Sequence, residues 1–187
     1  MEKEVIVAVA LGIGLSASTG FRIFLPMLIT GLAARFGFLE LGDNFAWLSS
    51  SVALLSLSVA SVVEILAYYI PFVDNLLDTV AMPLAVGAGT LLAASVLPSD
   101  NNFYRWVLAI IIGGGASAVV QGTTSMLRLG SSGTTAGVGN AVVSTGENVA
   151  SASIPVVTII APLLVATALV LLFIYMIRRV FRRKNVR

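Results

Sequence analysis

Five long apolar segments, separated by short polar stretches, dominate the pattern along the chain. They are Val5–Ala34, Phe45–Ile70, Thr79–Leu97, Phe103–Val120 and Ile154–Ile177. A helix needs about 20 apolar residues to cross a hydrocarbon core of about 30 Å. The pattern therefore predicts an all-α, polytopic helical membrane protein with four to five spans, and we adopt five. We expect the fifth segment to be the cleanest single helix.

The first apolar segment is longer than one membrane crossing requires. As one helix its residues would extend roughly 45 Å. Gly20 weakens the helix, and Pro26 lacks the N–H that would bond to the carbonyl of Arg22. Hydroxyl groups that can satisfy freed backbone atoms precede this point, at Ser16, Ser18 and Thr19. We predict that the first helix breaks near Arg22 and lines a polar interior there.

The segment Gly122–Ser153 differs in composition from the apolar segments, because it consists mainly of Gly, Ser, Thr, Ala, Val and Asn. One interpretation is a long, flexible external loop. The other is a re-entrant pair of broken helices, since irregular backbone at membrane depth is tolerated when it is buried in protein or lines a water-filled cavity. The sequence leaves both open.

A weak internal repeat favours the re-entrant interpretation. Shifting the chain by 101 residues places Gly14–Ala17 on Gly115–Ala118. If each half holds a broken and a full helix, with Thr79–Leu97 between them, the halves are inverted in the membrane. An inverted repeat is a recurrent plan of secondary transporters.

Composition agrees with membrane insertion. Of 187 residues, 58% are hydrophobic and 11% are charged, whereas soluble domains carry roughly 25% charged residues. The length suits one bundle, which we assign to residues 1–177. The chain has no cysteine and no histidine, so it lacks the usual metal ligand and proton shuttle, and we expect no cofactor.

The C-terminal tail, residues 178–187, is strongly basic. It carries six of the eleven basic residues, which leaves five against nine acidic residues elsewhere. By the positive-inside rule this tail is cytoplasmic, so five crossings place the N-terminus outside the plasma (inner) membrane. We expect the tail to attract anionic lipid headgroups and assign it no nucleic-acid partner.

Arg22 and Glu64 are the charged residues deepest in apolar surroundings. A charge at the bilayer centre costs roughly 2.5–3.5 kcal/mol on insertion scales, so such residues usually face the interior and pair. We expect these two to form an ion pair or to contact a permeating ion or anionic substrate. Arg22 at the lipid–water boundary is the third alternative.

Acidic residues also follow Pro71, which suits the first turn of a helix. Asp74 and Asp78 then lie one turn apart, with Asn75 beside the first. Such carboxylates suit a hard cation or a coupled proton pair. An exposed amphipathic connector explains them equally, so a metal site stays open.

Further polar candidates lie in or beside the Gly/Ser-rich segment: Gln121, Arg128, Asn140 and Glu147. By their place in the second half of the chain, Arg128 and Glu147 are similar to the Arg22 and Glu64 pair, although the shift that relates the two halves does not align these positions. Ordinary loop charges are the alternative. We include Gln121, Arg128 and Glu147 among the candidate substrate-binding or ion-binding residues.

The stretches "GLSASTGFRIFLPMLITGLAARFG" and "EILAYYIPFVDNLLDT" resemble an uncharacterised bacterial membrane family, the domain of unknown function numbered 4126. The resemblance covers most of the chain and is most specific across Glu64–Asp78. Tyr68 and Tyr69 depart from the charged residues expected there. The resemblance implies a helical membrane fold and no settled activity.

These features favour a small permease or channel-like transporter for an ion or small polar solute. The alternative is a non-catalytic accessory subunit, packed into a homo-oligomer or a larger membrane complex through its glycine-rich faces. An enzyme is disfavoured because the chain lacks histidine, cysteine and a G-x-S-x-G nucleophile motif.

Overall fold

A computed structural model describes residues 2–98, 101–135 and 139–184, and those ranges contain helices and no strand. The α-helices are α1 Glu2–Thr19, α2 Phe24–Arg35, α3 Ser51–Ala67, α4 Pro71–Val96, α5 Asn102–Ala109, α6 Gly115–Thr135, α7 Asn140–Ile160 and α8 Pro162–Lys184. A 3₁₀-helix, Asp43–Ser49, precedes α3, and a π-helical turn, Ile110–Gly114, joins α5 to α6. The protein is therefore an all-α membrane protein, as the apolar pattern predicts.

Candidate spans can be identified by length and apolar composition. Thr79–Val96 and Asn102–Thr135 each qualify, and Asp43–Ser49 with Ser51–Ala67 qualifies as a pair bent by 60°. The described helices thus supply two spans, or three if the bent pair is one. Phe24–Arg35 and Pro162–Tyr175 are apolar but shorter. Four to five crossings, and the division at residue 177, stay predictions; α8 continues past that residue to Lys184.

The first apolar segment is broken where the sequence predicts. Helix α1 ends at Thr19 and α2 begins at Phe24. Between them the chain makes short turns, in which the amides of Gly20 and Phe21 bond to carbonyls three residues back, each at 3.1 Å. Pro26 leaves the carbonyl of Arg22 without its helical donor, so an unbroken helix would lose a bond at this point.

The fifth apolar segment is not the single clean helix that we expected. Helix α7 ends at Ile160, and Ala161 leaves the helical region with φ −139° and ψ 67°. Pro162 follows and opens α8. Because proline has no N–H and restricts the residue before it, this pair ends one helix and starts the next.

The Gly/Ser-rich segment forms helices rather than a flexible loop. Its first part continues α6 as far as Thr135, and its second part forms α7 from Asn140; residues 136–138 lie outside the described ranges. Buried polar side chains, including Arg128 and Glu147, lie on these helices. The external-loop interpretation is therefore wrong for the described residues of this segment.

Helix α1 lies at the centre of the bundle, packed against α4, α6, α7 and α8. Small residues and hydroxyl groups make this close packing possible. Ser16 Oγ donates to the carbonyl of Gly89 at 2.6 Å, and Ser117 Oγ donates to the carbonyl of Ser16 at 2.7 Å. A Cβ at Gly14 would collide with the side chain of Thr158. The packing fixes the position of the break that follows α1.

Candidate functional site

Arg22 lies in the break between α1 and α2 with 1% of its surface exposed. Its Nε donates to Asn148 Oδ1 at 2.7 Å, and its Nη1 donates to Glu147 Oε2 at 2.7 Å. Nη1 also reaches the carbonyl of Phe21 at 2.8 Å, and Nη2 reaches that of Ser144 at 3.3 Å. The broken helix is thus attached to α7 through one guanidinium.

Glu147 is shared between two arginines. Arg128 of α6 donates from Nε to Glu147 Oε1 at 3.1 Å, and its Nη2 pairs with Glu147 Oε2. All three side chains are buried. A buried carboxylate between two guanidiniums is a charge-assisted network, and removing one member leaves another charge uncompensated.

Tyr68 completes this network from the end of α3. Its ring centre lies 4.0 Å from Cζ of Arg22 and 4.2 Å from Cζ of Arg128, so the ring makes two cation–π contacts. We call Arg22, Tyr68, Arg128 and Glu147 the arginine cluster. Only 6% of Tyr68 is exposed, so its ring lies inside the bundle.

Glu64 does not pair with Arg22, contrary to the predicted ion pair. Its Oε1 accepts from the amide of Ile23 at 2.7 Å, and its Oε2 accepts from the amide of Phe24 at 3.0 Å. The break leaves the first amides of α2 without helical acceptors, and the carboxylate satisfies two of them at the positive end of the helix dipole. Arg22 instead turns to α7.

A cavity of about 640 Å³ lies between α3 and α4, and Glu64 is among its lining residues. It forms because α3 packs against α2 and the 3₁₀-helix, whereas α4 packs mainly against α1, α5 and α6. Ile23 and Phe24 also line it, so the cavity reaches the start of α2. Exposed apolar residues such as Leu55 and Val59 line it as well, so it reaches the outer surface of the bundle.

Gln121 and Asn140 have hydrogen-bond partners outside the arginine cluster. Gln121 of α6 is buried, but its amide donates to Ser125 at 3.3 Å. Asn140 donates to Ser132 at 2.9 Å near the start of α7. Asp74, Asn75 and Asp78 belong to the first turns of α4, and their side chains lie outside the described residues. Within the described residues, no group of three or more Asp, Glu, His or Cys could hold a metal ion.

Sequence reasoning missed Asn148 and Ser144, which hold Arg22 from α7. It also missed Tyr68, whose ring contacts both guanidiniums. A signal for Asn148 was available, because it follows Glu147 directly in a segment with few large polar residues. Ser144 was not predictable, since its backbone carbonyl makes the contact.

Comparison with protein families assigns the chain by a match over residues 9–182. The chain belongs to the DUF4126 family. This family is described as a domain of unknown function, so membership confirms the resemblance seen in the sequence and adds no activity. Comparison with curated proteins and with solved structures found no match.

The described geometry divides the four charges into two environments. Inside the bundle, Arg22 and Arg128 both donate hydrogen bonds to Glu147. Glu64 instead accepts hydrogen bonds from two backbone amides and lines the cavity. An ionised carboxylate has about four acceptor positions, and these amides occupy one on each oxygen. Glu64 can therefore accept a further hydrogen bond or a cation from the cavity side.

Proposed function

We propose that this member of the DUF4126 family is a small membrane permease for an ion or small polar solute, and that Glu64 is its intramembrane binding group. The observation that supports this most is the place of Glu64: it lines a cavity of about 640 Å³ at the break of the first helix. Ionisable residues inside membrane segments mark ion and substrate pathways.

The broken first helix supports the same proposal. Discontinuous helices whose ends point at the substrate site are a feature of transporters built from repeats. Ser16 and Ser117, which the 101-residue shift superimposes, contact each other at the centre of the bundle. Two repeats that meet at a central axis are expected to make such a contact, and we include the inverted repeat in the proposal.

The arginine cluster holds the helices around the pathway, and one of its members, Tyr68, lines the cavity. Its guanidiniums are attached to the carboxylate of Glu147, to Asn148 and to backbone carbonyls. We therefore assign it to holding α6 and α7 against the broken helix and α3. The solute then meets Glu64, while the cluster keeps the break open.

An accessory subunit is the second candidate, and the closed pairing of the arginine cluster favours it. Such a subunit needs no solute site, and its buried charges serve only to fix the packing. The two candidates differ in whether Glu64 matters for solute movement.

We place the protein in the plasma membrane with its basic C-terminus in the cytoplasm, where the positive residues of the tail favour anionic headgroups. Arg178 is exposed at the start of that tail, as headgroup contact requires.

Flux into proteoliposomes tests the proposed activity. We expect at least one of potassium, methylammonium, chloride or urea to equilibrate faster with the wild-type protein than in protein-free vesicles. Glu64→Gln should abolish the increase, whereas Glu40→Gln, which removes the same charge from an exposed position, should leave it intact. Equal flux for wild type, Glu64→Gln and empty vesicles across this set would reject the permease and favour the accessory subunit.

A further inference from the structure

We propose that the cavity between α3 and α4 binds an amphipathic organic cation, with its apolar body against the two helices and its charge against Glu64. This inference rests on the proposed function and names the class of solute that the same site accepts.

The volume and lining of the cavity indicate the size and the apolar character of the ligand. Its volume of about 640 Å³ falls within the roughly 300–1,000 Å³ typical of pockets for drug-sized ligands. Most of the lining side chains are aliphatic, among them Val59, Val63 and Leu84. A small hydrated ion would leave this wall uncovered, whereas an apolar ligand removes it from water.

The charge of the ligand follows from the charged groups that line the cavity. Glu64 is the single charged residue among the described residues that line it. Arg22 does not line the cavity and directs its donors to Asn148, Glu147 and two carbonyls. Among the described residues, no cationic side chain forms an ion pair with Glu64, whose carboxylate accepts from two amides and feels Arg22 only at longer range. A buried carboxylate is stabilised by a cation, and an anionic ligand would be repelled.

The way in also fits an amphipathic molecule. Leu55, Val59 and Val63 line the cavity and are exposed on the outside of the bundle. In the membrane these residues face hydrocarbon, so the entrance is continuous with the lipid phase. A cation with a large apolar surface partitions into that phase, whereas a strongly hydrated one does not.

Binding of tritiated tetraphenylphosphonium to the purified full chain, measured by equilibrium dialysis in detergent, tests the inference. We expect one saturable site. Glu64→Gln should weaken binding by about tenfold to a hundredfold, the range for one lost charged interaction, and Glu40→Gln should not change it. Triphenylphosphine oxide, which has a similar aromatic body and no charge, should compete only weakly.

A second pair of variants keeps the test valid if Glu64→Gln fails to fold. Ala60→Phe fills the cavity that Ala60 lines while leaving Glu64 in place, and it should abolish binding. Val62→Phe adds the same ring on the lipid-facing side of α3, where 57% of Val62 is exposed, and should bind normally. Unchanged binding by Ala60→Phe, or competition by triphenylphosphine oxide as strong as that by unlabelled tetraphenylphosphonium, would overturn the inference.

The results separate this inference from the proposed function. Saturable, Glu64-dependent binding without any flux supports the cation site and rejects the permease. Glu64-dependent flux of a small solute without tetraphenylphosphonium binding supports the permease and rejects the organic-cation class.

Discussion

Glu147 is the carboxylate that two buried guanidiniums share, so replacing it is the most severe single change to the arginine cluster. Glu147→Gln keeps the size of the side chain and removes its charge. Arg22 and Arg128 then both lose the carboxylate that they share, while both stay next to the ring of Tyr68. Breaking a buried ion pair by removing one partner costs about 3–5 kcal/mol, and this change breaks two.

Arg22→Gln should be milder than Glu147→Gln, because Glu147 keeps Arg128 as its partner. Each single variant already removes the ion pair between Arg22 and Glu147, so the loss of the double variant should be smaller than the sum of the two single losses. The expected coupling is about 0.5–3 kcal/mol, the range for residues in one network. Arg22 and Glu64, which form no ion pair with each other, should couple less.

Thermal unfolding in detergent, followed by size-exclusion chromatography of the remaining folded fraction, measures these losses. Glu40→Gln serves as the control for removing a carboxylate from an exposed position. Strictly additive losses for Arg22→Gln and Glu147→Gln would refute the shared network, as would a larger loss for Arg22→Gln than for Glu147→Gln.

Three further predictions concern the packing and the topology. Tyr68→Leu should lower the free energy of unfolding by about 2 kcal/mol for each of the two desolvated cation–π contacts that it loses. Tyr68→Phe keeps the ring and should lose less. Equal melting temperatures for these two variants would contradict this role of the ring. Gly14→Ala should lower the free energy of unfolding by about 1–3 kcal/mol because its Cβ meets Thr158. Gly146→Ala, whose Cβ would enter open space, should be neutral or slightly stabilising. Thermal unfolding that ranks the two variants in reverse would contradict the close approach of α1 and α7. A cysteine added at the N-terminus should react with an impermeant reagent from outside intact cells, since the chain has no cysteine of its own and five crossings place that end outside; labelling only after permeabilisation would indicate four crossings.

The break in the first helix could be predicted because its causes are local. Gly20 and Pro26 act on the backbone within one or two turns, and the structure shows the break between Thr19 and Phe24. Pro71 at the start of α4 is predictable for the same reason. The break at Ala161 has an equally local cause in Pro162, and the long apolar run across it obscured that signal.

The partner of Arg22 could not be predicted because it depends on packing between distant helices. Glu147 lies 125 residues further along the chain. In the sequence, Glu64 is nearer to Arg22 and also lies in apolar surroundings. Arg22 pairs with Glu147 because the backbone amides at the start of α2 donate to the carboxylate of Glu64. The cation–π contacts of Tyr68 with Arg22 and Arg128 could not be predicted for the same reason, because they join residues of three separate parts of the chain.

Cysteine accessibility at Ala60 tests most directly whether the cavity at Glu64 is a solute pathway in the membrane. Methanethiosulfonates react with thiolates, which form in water and not in hydrocarbon. Ala60→Cys in proteoliposomes should react with the cationic ethyltrimethylammonium reagent, and faster than with the anionic sulfonate reagent, because Glu64 lines the same cavity. Glu64→Gln should remove that preference, and Val62→Cys on the lipid-facing side should not react. If Ala60→Cys is as unreactive as Val62→Cys, water does not reach the cavity and the proposed pathway through Glu64 is wrong.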